Sequence, residues 1–156
     1  MKTFILALLF LNISFQISAQ EVIRQEPCYD ASIQKQADSI KALVAKDGFT
    51  ILREASMKME SEYEMPIILP MREKTVYHFV FIGDISSNLY EVRMYDMEEN
   101  MVVYQKKKWG DVDGNIIAYS YVPKFSEHHM IRPLQVNKKK KKDLCGYVML
   151  FQKTRQ

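Results

Sequence analysis

The chain is poor in the residues that build common catalytic and cofactor motifs. Its 156 residues include only five glycines, three histidines, two cysteines and one tryptophan. Five glycines are too few for a glycine-rich phosphate loop, and neither a Gly-x-Ser-x-Gly elbow nor a Ser–His–Asp grouping occurs. The histidines lack the His-x-His and His-Glu-x-x-His spacings of zinc sites. We therefore expect no metal site, no cofactor and no enzymatic activity.

Long apolar runs are also missing. The longest begins after Lys2 and is broken by Asn12, whereas a membrane-spanning helix needs about 20 apolar residues. One positive charge, an apolar run and a small residue, Ala19, form the pattern of a secretory signal peptide. The sequence therefore predicts a signal peptide over residues 1–19 and a mature chain that begins at Gln20. We expect this mature chain to be periplasmic or secreted, with no transmembrane anchor.

Both cysteines, Cys28 and Cys145, lie in the part that would be exported. In an oxidising compartment two isolated cysteines usually pair. A bridge would tie the N-terminal segment, residues 20–29, to the last strand. Two free buried thiols or a nucleophilic Cys145 are the alternatives, but nothing near Cys145 indicates a reactive thiolate. We predict the disulfide.

Positive charge is concentrated in two lysine clusters. The mature chain has 21 basic and 19 acidic side chains. Without the eight lysines of the two clusters, 13 basic and 19 acidic side chains remain. Nucleic-acid surfaces spread basic residues along a face with aromatics between them, so we expect no nucleic-acid partner. A protein or an anionic polysaccharide of the cell envelope is the expected partner. The predicted contacts are Lys106, Lys107, Lys108, Trp109, Lys138, Lys139, Lys140, Lys141 and Lys142.

The second lysine cluster and the tryptophan each have a simpler interpretation. The second lysine cluster is also typical of a solvated hairpin loop that discourages edge pairing. A single tryptophan such as Trp109 is also typical of a core position.

Two aspartates suggest calcium without completing a known loop. Asp111 and Asp113 alternate as at the start of an EF-hand, but Ile116 and Val122 stand where that loop needs Gly and Glu. A tight hairpin turn at Asp113 and Gly114 is the favoured interpretation, and a calcium site of another type stays open.

One amphipathic helix is predicted over residues 30–47. Asp30 or Ser32 can cap its start, and Gly48 stands where a left-handed residue would end it. The apolar stripe consists of Ile33, Ala37, Ile40 and Val44.

From Phe49 the apolar period changes to two, as expected for strands with one buried face. About eight short strands separated by turns follow up to residue 153. Except for His78, residues 76–82 are apolar on both faces and suit a central strand, whereas Pro66 and Pro70 suit an edge. This pattern predicts an antiparallel, jelly-roll-like β-sandwich over residues 49–153, packed with the helix as one domain.

Three stretches carry a family resemblance. They are Tyr-His-Phe-Val-Phe-Ile-Gly-Asp at 77–84, Val-Arg-Met-Tyr-Asp at 92–96 and Cys-Gly-Tyr-Val-Met-Leu at 145–150. Over residues 66–153 the chain resembles the β-sandwich modules of the bacterial pre-peptidase C-terminal type. It departs from them at residues 73–74, where Glu-Lys replaces the usual Gly. The signal peptide is also similar to those of many Bacteroidetes exported proteins.

The resemblance implies a non-catalytic jelly-roll-like module. We therefore expect an exported binding or interaction module of unknown partner. The alternative is a carrier of a small apolar ligand, with a cavity between the sheets and the helix as its lid. Ten methionines would line such a cavity or equally fill it.

Overall fold

The computed structural model describes residues 25–112 and 114–154, so the predicted signal peptide, residues 20–24 and Asp113 lie outside it. One helix precedes eight strands, and the strands form two antiparallel four-stranded sheets. The predicted fold class is therefore confirmed. The elements are α1 (Ala31–Lys46), β1 (Phe49–Met59), β2 (Ile67–Met71), β3 (Tyr77–Gly83), β4 (Leu89–Tyr95), β5 (Met101–Lys108), β6 (Ile116–Tyr121), β7 (Glu127–Val136) and β8 (Leu144–Lys153).

The strand order is that of a jelly roll. The helix-side sheet has the order β1-β8-β3-β6, and the outer sheet has the order β2-β7-β4-β5. Only β4 and β5 are consecutive strands that pair with each other, so every other connection passes from one sheet to the other.

No helix in the described ranges is long and apolar enough to span a membrane.

Three layers bury the apolar residues. The two sheets enclose one cluster that includes Met57, Phe81, Tyr90 and Val148. A second cluster joins the apolar stripe of α1 to the opposite face of the helix-side sheet. Because both of its faces are covered, β3 is apolar on both, as the sequence predicted for a central strand.

The helix begins and ends where its sequence predicts. The Asp30 carboxylate accepts a hydrogen bond from the Ile33 amide at 2.9 Å, which is an N-cap. Gly48 has a φ of 77° just beyond the helix, a conformation that glycine adopts without strain.

Cys28 and Cys145 form the predicted disulfide, with their Cα atoms 5.6 Å apart. Such a bond is typical of proteins in an oxidising compartment. It fixes the segment before α1 to β8. The same segment contacts β1, because the Glu26 carbonyl accepts a hydrogen bond from the Lys58 amide at 2.8 Å.

Two predicted hairpins are wrong. The segment that contains Gly114 connects β5 of the outer sheet to β6 of the helix-side sheet, and these strands do not pair. The lysine run likewise connects β7 to β8 across the two sheets. Pro70 lies inside β2, which an edge strand tolerates because it has a neighbour on one side only.

Candidate interaction surface

The two lysine clusters lie at the same end of the sandwich. The Asn88 amide donates to the Val136 carbonyl at 2.7 Å, and the Trp109 amide donates to the Asn88 carbonyl at 2.9 Å. The β3–β4 loop therefore lies between the end of β5 and the end of β7. We call this end the loop end. The structure brings together the contacts that the sequence predicted in two separate segments.

Part of the second cluster is neutralised locally. Lys140 lies 3.8 Å from the Asp84 carboxylate, Lys141 lies 3.5 Å from Glu62 and Lys142 lies 3.8 Å from Glu60. Lys138 and Lys139 have no carboxylate of a described residue within 4.0 Å. These two lysines carry the uncompensated charge of the run.

Buried polar side chains hold the loop end in place. The Gln135 side-chain oxygen accepts from the Asp84 amide at 2.9 Å, and its nitrogen donates to the Cys145 carbonyl at 3.1 Å. Asn137 accepts from the amides of Lys139 and Lys140 and so shapes the lysine loop. Both amide side chains are almost fully buried, and buried polar groups of this kind fix one geometry when all of them are bonded.

Two ionisable groups belong to the same network. Burial would raise the pKa of Asp84, but hydrogen bonds from Ser86 and from the Cys145 amide lower it below its usual value. The Tyr90 hydroxyl donates to the Asp84 carbonyl at 2.7 Å. Burial, with a contribution from the Asp84 charge, raises the pKa of Tyr90 to about 12.

The first cluster occupies the edge strand β5. The Lys106 ammonium lies 3.0 Å from the Glu91 carboxylate, and Lys107 donates to the Val112 carbonyl at 3.3 Å. Trp109 is 70% exposed, so the alternative of a core tryptophan is wrong. An exposed indole beside lysines is a surface that can contact a partner.

The outer face of the outer sheet is not covered by any described element, in contrast to the face that α1 covers. The register sets its side chains in rows across β5, β4 and β7. These rows are Lys108–Leu89–Val136, Lys106–Glu91–Leu134, Tyr104–Arg93–Arg132 and Met101–Tyr95–Met130.

A chain of alternating charges crosses this outer face. Arg93 donates to the carboxylates of Glu64 at 2.7 Å and Glu91 at 2.8 Å, and Arg132 donates to Glu64 at 3.3 Å. Burial would raise the pKa of Glu91, but the hydrogen bonds and charges of Lys106 and Arg93 lower it. This charge chain contains three cations and two anions, so it has one positive charge in excess. Its members are Lys106, Glu91, Arg93, Glu64 and Arg132.

Tyrosine rings fix the two arginines further. The Arg132 guanidinium lies 4.8 Å from the centre of the Tyr95 ring, and the Arg93 guanidinium lies 5.9 Å from that of Tyr104. Planar guanidinium groups held by carboxylates and rings lose little conformational freedom when they bind a partner.

The remaining sequence candidates for metal binding are the pair His128–His129 and the aspartates Asp111 and Asp113. His128 is exposed and His129 is buried on the opposite face of β7, as expected for adjacent strand residues. His129 Nε2 lies 3.1 Å from the Tyr121 hydroxyl, while its Nδ1 has no hydrogen-bond partner among the described residues. The Asp111 carboxylate accepts from the Lys108 amide at 2.8 Å, and its possible calcium partner Asp113 lies outside the described residues. No group of three potential metal ligands occurs within residues 25–112 and 114–154.

Sequence reasoning missed the residues that organise this surface. Glu64, Gln135 and Asn137 were not singled out. Glu64 and Gln135 act through contacts distant in sequence, whereas Asn137 shapes the loop through the nearby amides of Lys139 and Lys140. The sequence does indicate a shared position for Glu91 and Arg93. The alternation of β4 places both on the face of the strand opposite to that of the buried Tyr90.

Comparison with known proteins does not place the chain in a family. No family model matches it, and no curated protein matches it significantly. Among solved structures it is similar to a glycosylation-associated protein complex of Streptococcus agalactiae, with 13% identity and a TM-score of 0.37 over 69% of this chain and 40% of that chain. It is also similar to a Bacillus endospore appendage protein from disulfide-linked pili, with 11% identity and a TM-score of 0.36 over 69% of this chain and 91% of that chain. A third similar structure, an α-L-arabinofuranosidase, has 9% identity and a TM-score of 0.38 over 72% of this chain and 24% of that chain. Structural similarity this weak does not support any inference about function.

Proposed function

We propose that the protein is an exported, non-enzymatic interaction module that binds an acidic protein partner through the outer face of the outer sheet. Export is supported by the signal-peptide pattern of residues 1–19, and an oxidising compartment is supported by the Cys28–Cys145 disulfide. Periplasm and extracellular space both fit. The resemblance to pre-peptidase C-terminal modules stays a proposal that is compatible with the jelly-roll order.

The observation that carries the proposal is the composition of the uncovered outer face. Its rows combine tyrosine, arginine and methionine with partly exposed Leu89, Leu134 and Val136. These are the residue types enriched in protein–protein interfaces, where tyrosine and arginine contribute most of the binding energy. A partner protein fits this mixture of apolar and hydrogen-bonding groups better than a polysaccharide does.

Charge supports an acidic partner. The charge chain has one excess cation. Lys108 on the outer face and Lys138 and Lys139 at the loop end add to it, because they have no carboxylate of a described residue within 4.0 Å. An acidic surface would meet complementary potential along this whole length, and the association would weaken as salt is added.

The carrier alternative has less support. The inner faces of both sheets pack against each other through large side chains such as Met57, Phe81 and Tyr90, all fully buried. A carrier needs several hundred Å³ of enclosed apolar space there.

Site-specific photo-crosslinking tests the proposal. A p-benzoylphenylalanine replaces Tyr104 on the outer face, or Leu43, an exposed residue of α1, as the matched control. Each mature protein is irradiated in an envelope extract of its host, the crosslinked species is identified by mass spectrometry, and the purified partner is then titrated. We expect a crosslink to one acidic protein from position 104 only, and about tenfold weaker binding for Arg132→Ser than for the control Lys46→Ser. Equal crosslinking from both positions, or a polysaccharide as the captured species, would overturn the proposal.

A further inference from the structure

A groove runs along the side of the sandwich where the edge strands β1 and β2 face each other. It comprises two cavities of about 570 and 550 Å³ that share Leu52, Arg53, Leu69 and Leu150 as lining residues. The apolar floor comes from both sheets, through Leu69, Phe79 and Leu150. This groove opens at the edge formed by β1 and β2, whereas the outer face spans β5, β4 and β7.

Among the described residues, the edge of β1 has unused backbone hydrogen-bonding groups at Glu54, which lines the groove, and at Ser56, just beyond it. The Lys58 amide points away from β8, because it donates to the Glu26 carbonyl. Backbone groups of an antiparallel strand alternate in direction with a period of two, so those of Ser56 and Glu54 point to the same open side. Within residues 25–112 and 114–154 no backbone hydrogen bond reaches Ser56 or Glu54 from that side.

The lip of the groove is apolar as well. Ile51 and Leu52 are 41% and 46% exposed, and Leu52 lies at a β-bulge, where the register shifts between Ile51 and Arg53. An exposed apolar strand edge is a template for pairing with another chain.

Two arginines give the groove its charge. Arg53 on β1 and Arg72 just after β2 line the same cavity, and neither lies within 4.0 Å of a carboxylate of a described residue. The carboxylate that shares the cavity, Glu127, lies 3.9 Å from the buried His129 ring. The other cavity adds Glu54, whose carboxylate is held by Lys41 at 2.6 Å. The two arginines have no such partner among the described residues, and they favour an acidic ligand, which guanidinium groups bind with paired hydrogen bonds.

We propose that this groove binds an extended acidic peptide segment of a partner protein, which adds a strand to β1 beyond the position that Glu26 already occupies. Main-chain hydrogen bonds to Ser56 and Glu54 would supply affinity. Every second side chain of the peptide would face the apolar floor and the two arginines, which supplies selectivity.

A designed peptide provides the probe. It is the blocked, fluorescein-labelled octapeptide Thr-Val-Thr-Val-Thr-Glu-Thr-Glu, whose valines and glutamates share one face of a strand. Fluorescence anisotropy with the mature protein should give saturable binding at concentrations below about 1 mM. The control peptide with lysine in place of both glutamates should bind at least about tenfold more weakly.

Variants separate the backbone and charge contributions. Ser56→Pro removes only the open-side amide, so it should weaken binding about tenfold, whereas Ser56→Ala keeps the amide and should bind like the wild type. Arg53→Ser and Arg72→Ser should each weaken binding roughly three- to tenfold, and the exposed control Lys74→Ser should not.

Three results would overturn the proposal. They are the lack of saturable binding by the wild type, equal binding of the lysine peptide, and unchanged binding by Ser56→Pro. The last result would indicate an occupant without backbone amides, such as an acyl chain. If Ser56→Pro does not fold by circular dichroism, a probe N-methylated at its central threonines replaces it, and the same loss of binding is expected.

Discussion

The Arg132 guanidinium stacks on the Tyr95 ring, with 4.8 Å between the guanidinium carbon and the ring centre. The pair joins neighbouring strands β7 and β4 on the uncovered outer face, and Glu64 holds the same guanidinium from the side at 3.3 Å. Contacts of this kind are worth about 0.5–1 kcal/mol at exposed sites, so their main effect is to fix the arginine.

A double-mutant cycle measures this contact. Tyr95→Leu and Arg132→Met each remove one partner while they keep much of the apolar surface. We expect a coupling energy of about 0.5–1 kcal/mol from urea unfolding. The same cycle on Tyr95 and the non-contacting Lys46→Met should give a coupling near zero, and a coupling of equal size there would contradict the assignment.

Removal of the disulfide should destabilise the protein substantially. The Cys28–Cys145 bond closes a loop with a sequence separation of 117, for which we expect a loss of about 2–5 kcal/mol in the double variant Cys28→Ser/Cys145→Ser. Denaturant unfolding of the oxidised wild type and of the variant measures it. Dithiothreitol should lower the stability of the wild type to that of the variant and leave the stability of the variant unchanged. If dithiothreitol also destabilises the variant, loss of the disulfide is not the cause.

Tyr90 should make stability fall at alkaline pH. Its pKa is raised from 10.0 to about 12 in the folded protein, so the folded state retains a proton that the unfolded state loses. The stabilisation is complete below pH 10 and decreases as the pH rises towards about 12. Tyr90→Phe should cost roughly 1–2 kcal/mol at neutral pH, because the Asp84 and Ser87 carbonyls lose their hydroxyl partner. The stability difference between wild type and Tyr90→Phe should therefore shrink between pH 10 and 12, and a constant difference would refute this role.

Gly83 has no room for a side chain. A Cβ atom there would lie 2.5 Å from two ring carbons of Tyr90, a ring that is fully buried and held by its hydroxyl. We expect Gly83→Ala to destabilise the protein by about 1–3 kcal/mol, since the ring cannot move without loss of packing. Thermal unfolding should show a lowered midpoint for Gly83→Ala and little change for Gln105→Ala on the exposed edge strand. An unchanged midpoint for Gly83→Ala would mean that the Tyr90 ring can move to make room for the added methyl group.

Local features of the fold were predictable from the sequence. The cap at Asp30, the apolar stripe of α1 and the left-handed Gly48 all depend on residues within one or two helical turns. The alternation within β4 likewise places Tyr90, Val92 and Met94 on one face, and this face is the buried one. Such patterns depend on one element alone.

The pairing of strands was not predictable in the same way. Alternation identifies which residues of a strand face the core, but it does not tell which sheet contains that strand. The turn at Gly114 and the lysine run therefore resembled hairpins, although both connect different sheets. The charge chain on the outer face was equally hidden, because Glu64 meets Arg93 and Arg132 only when β4 and β7 lie side by side.

The Gln135 side chain has a consequence for the motions of the molecule. It extends from β7 of the outer sheet to the Cys145 carbonyl on β8 of the helix-side sheet, and it also holds the Asp84 amide. The two sheets therefore cannot separate at the loop end unless all of these bonds break together. In native-state hydrogen exchange, the Asp84 amide should exchange only through global unfolding, which would make the loop end part of the most slowly exchanging unit in spite of its surface position.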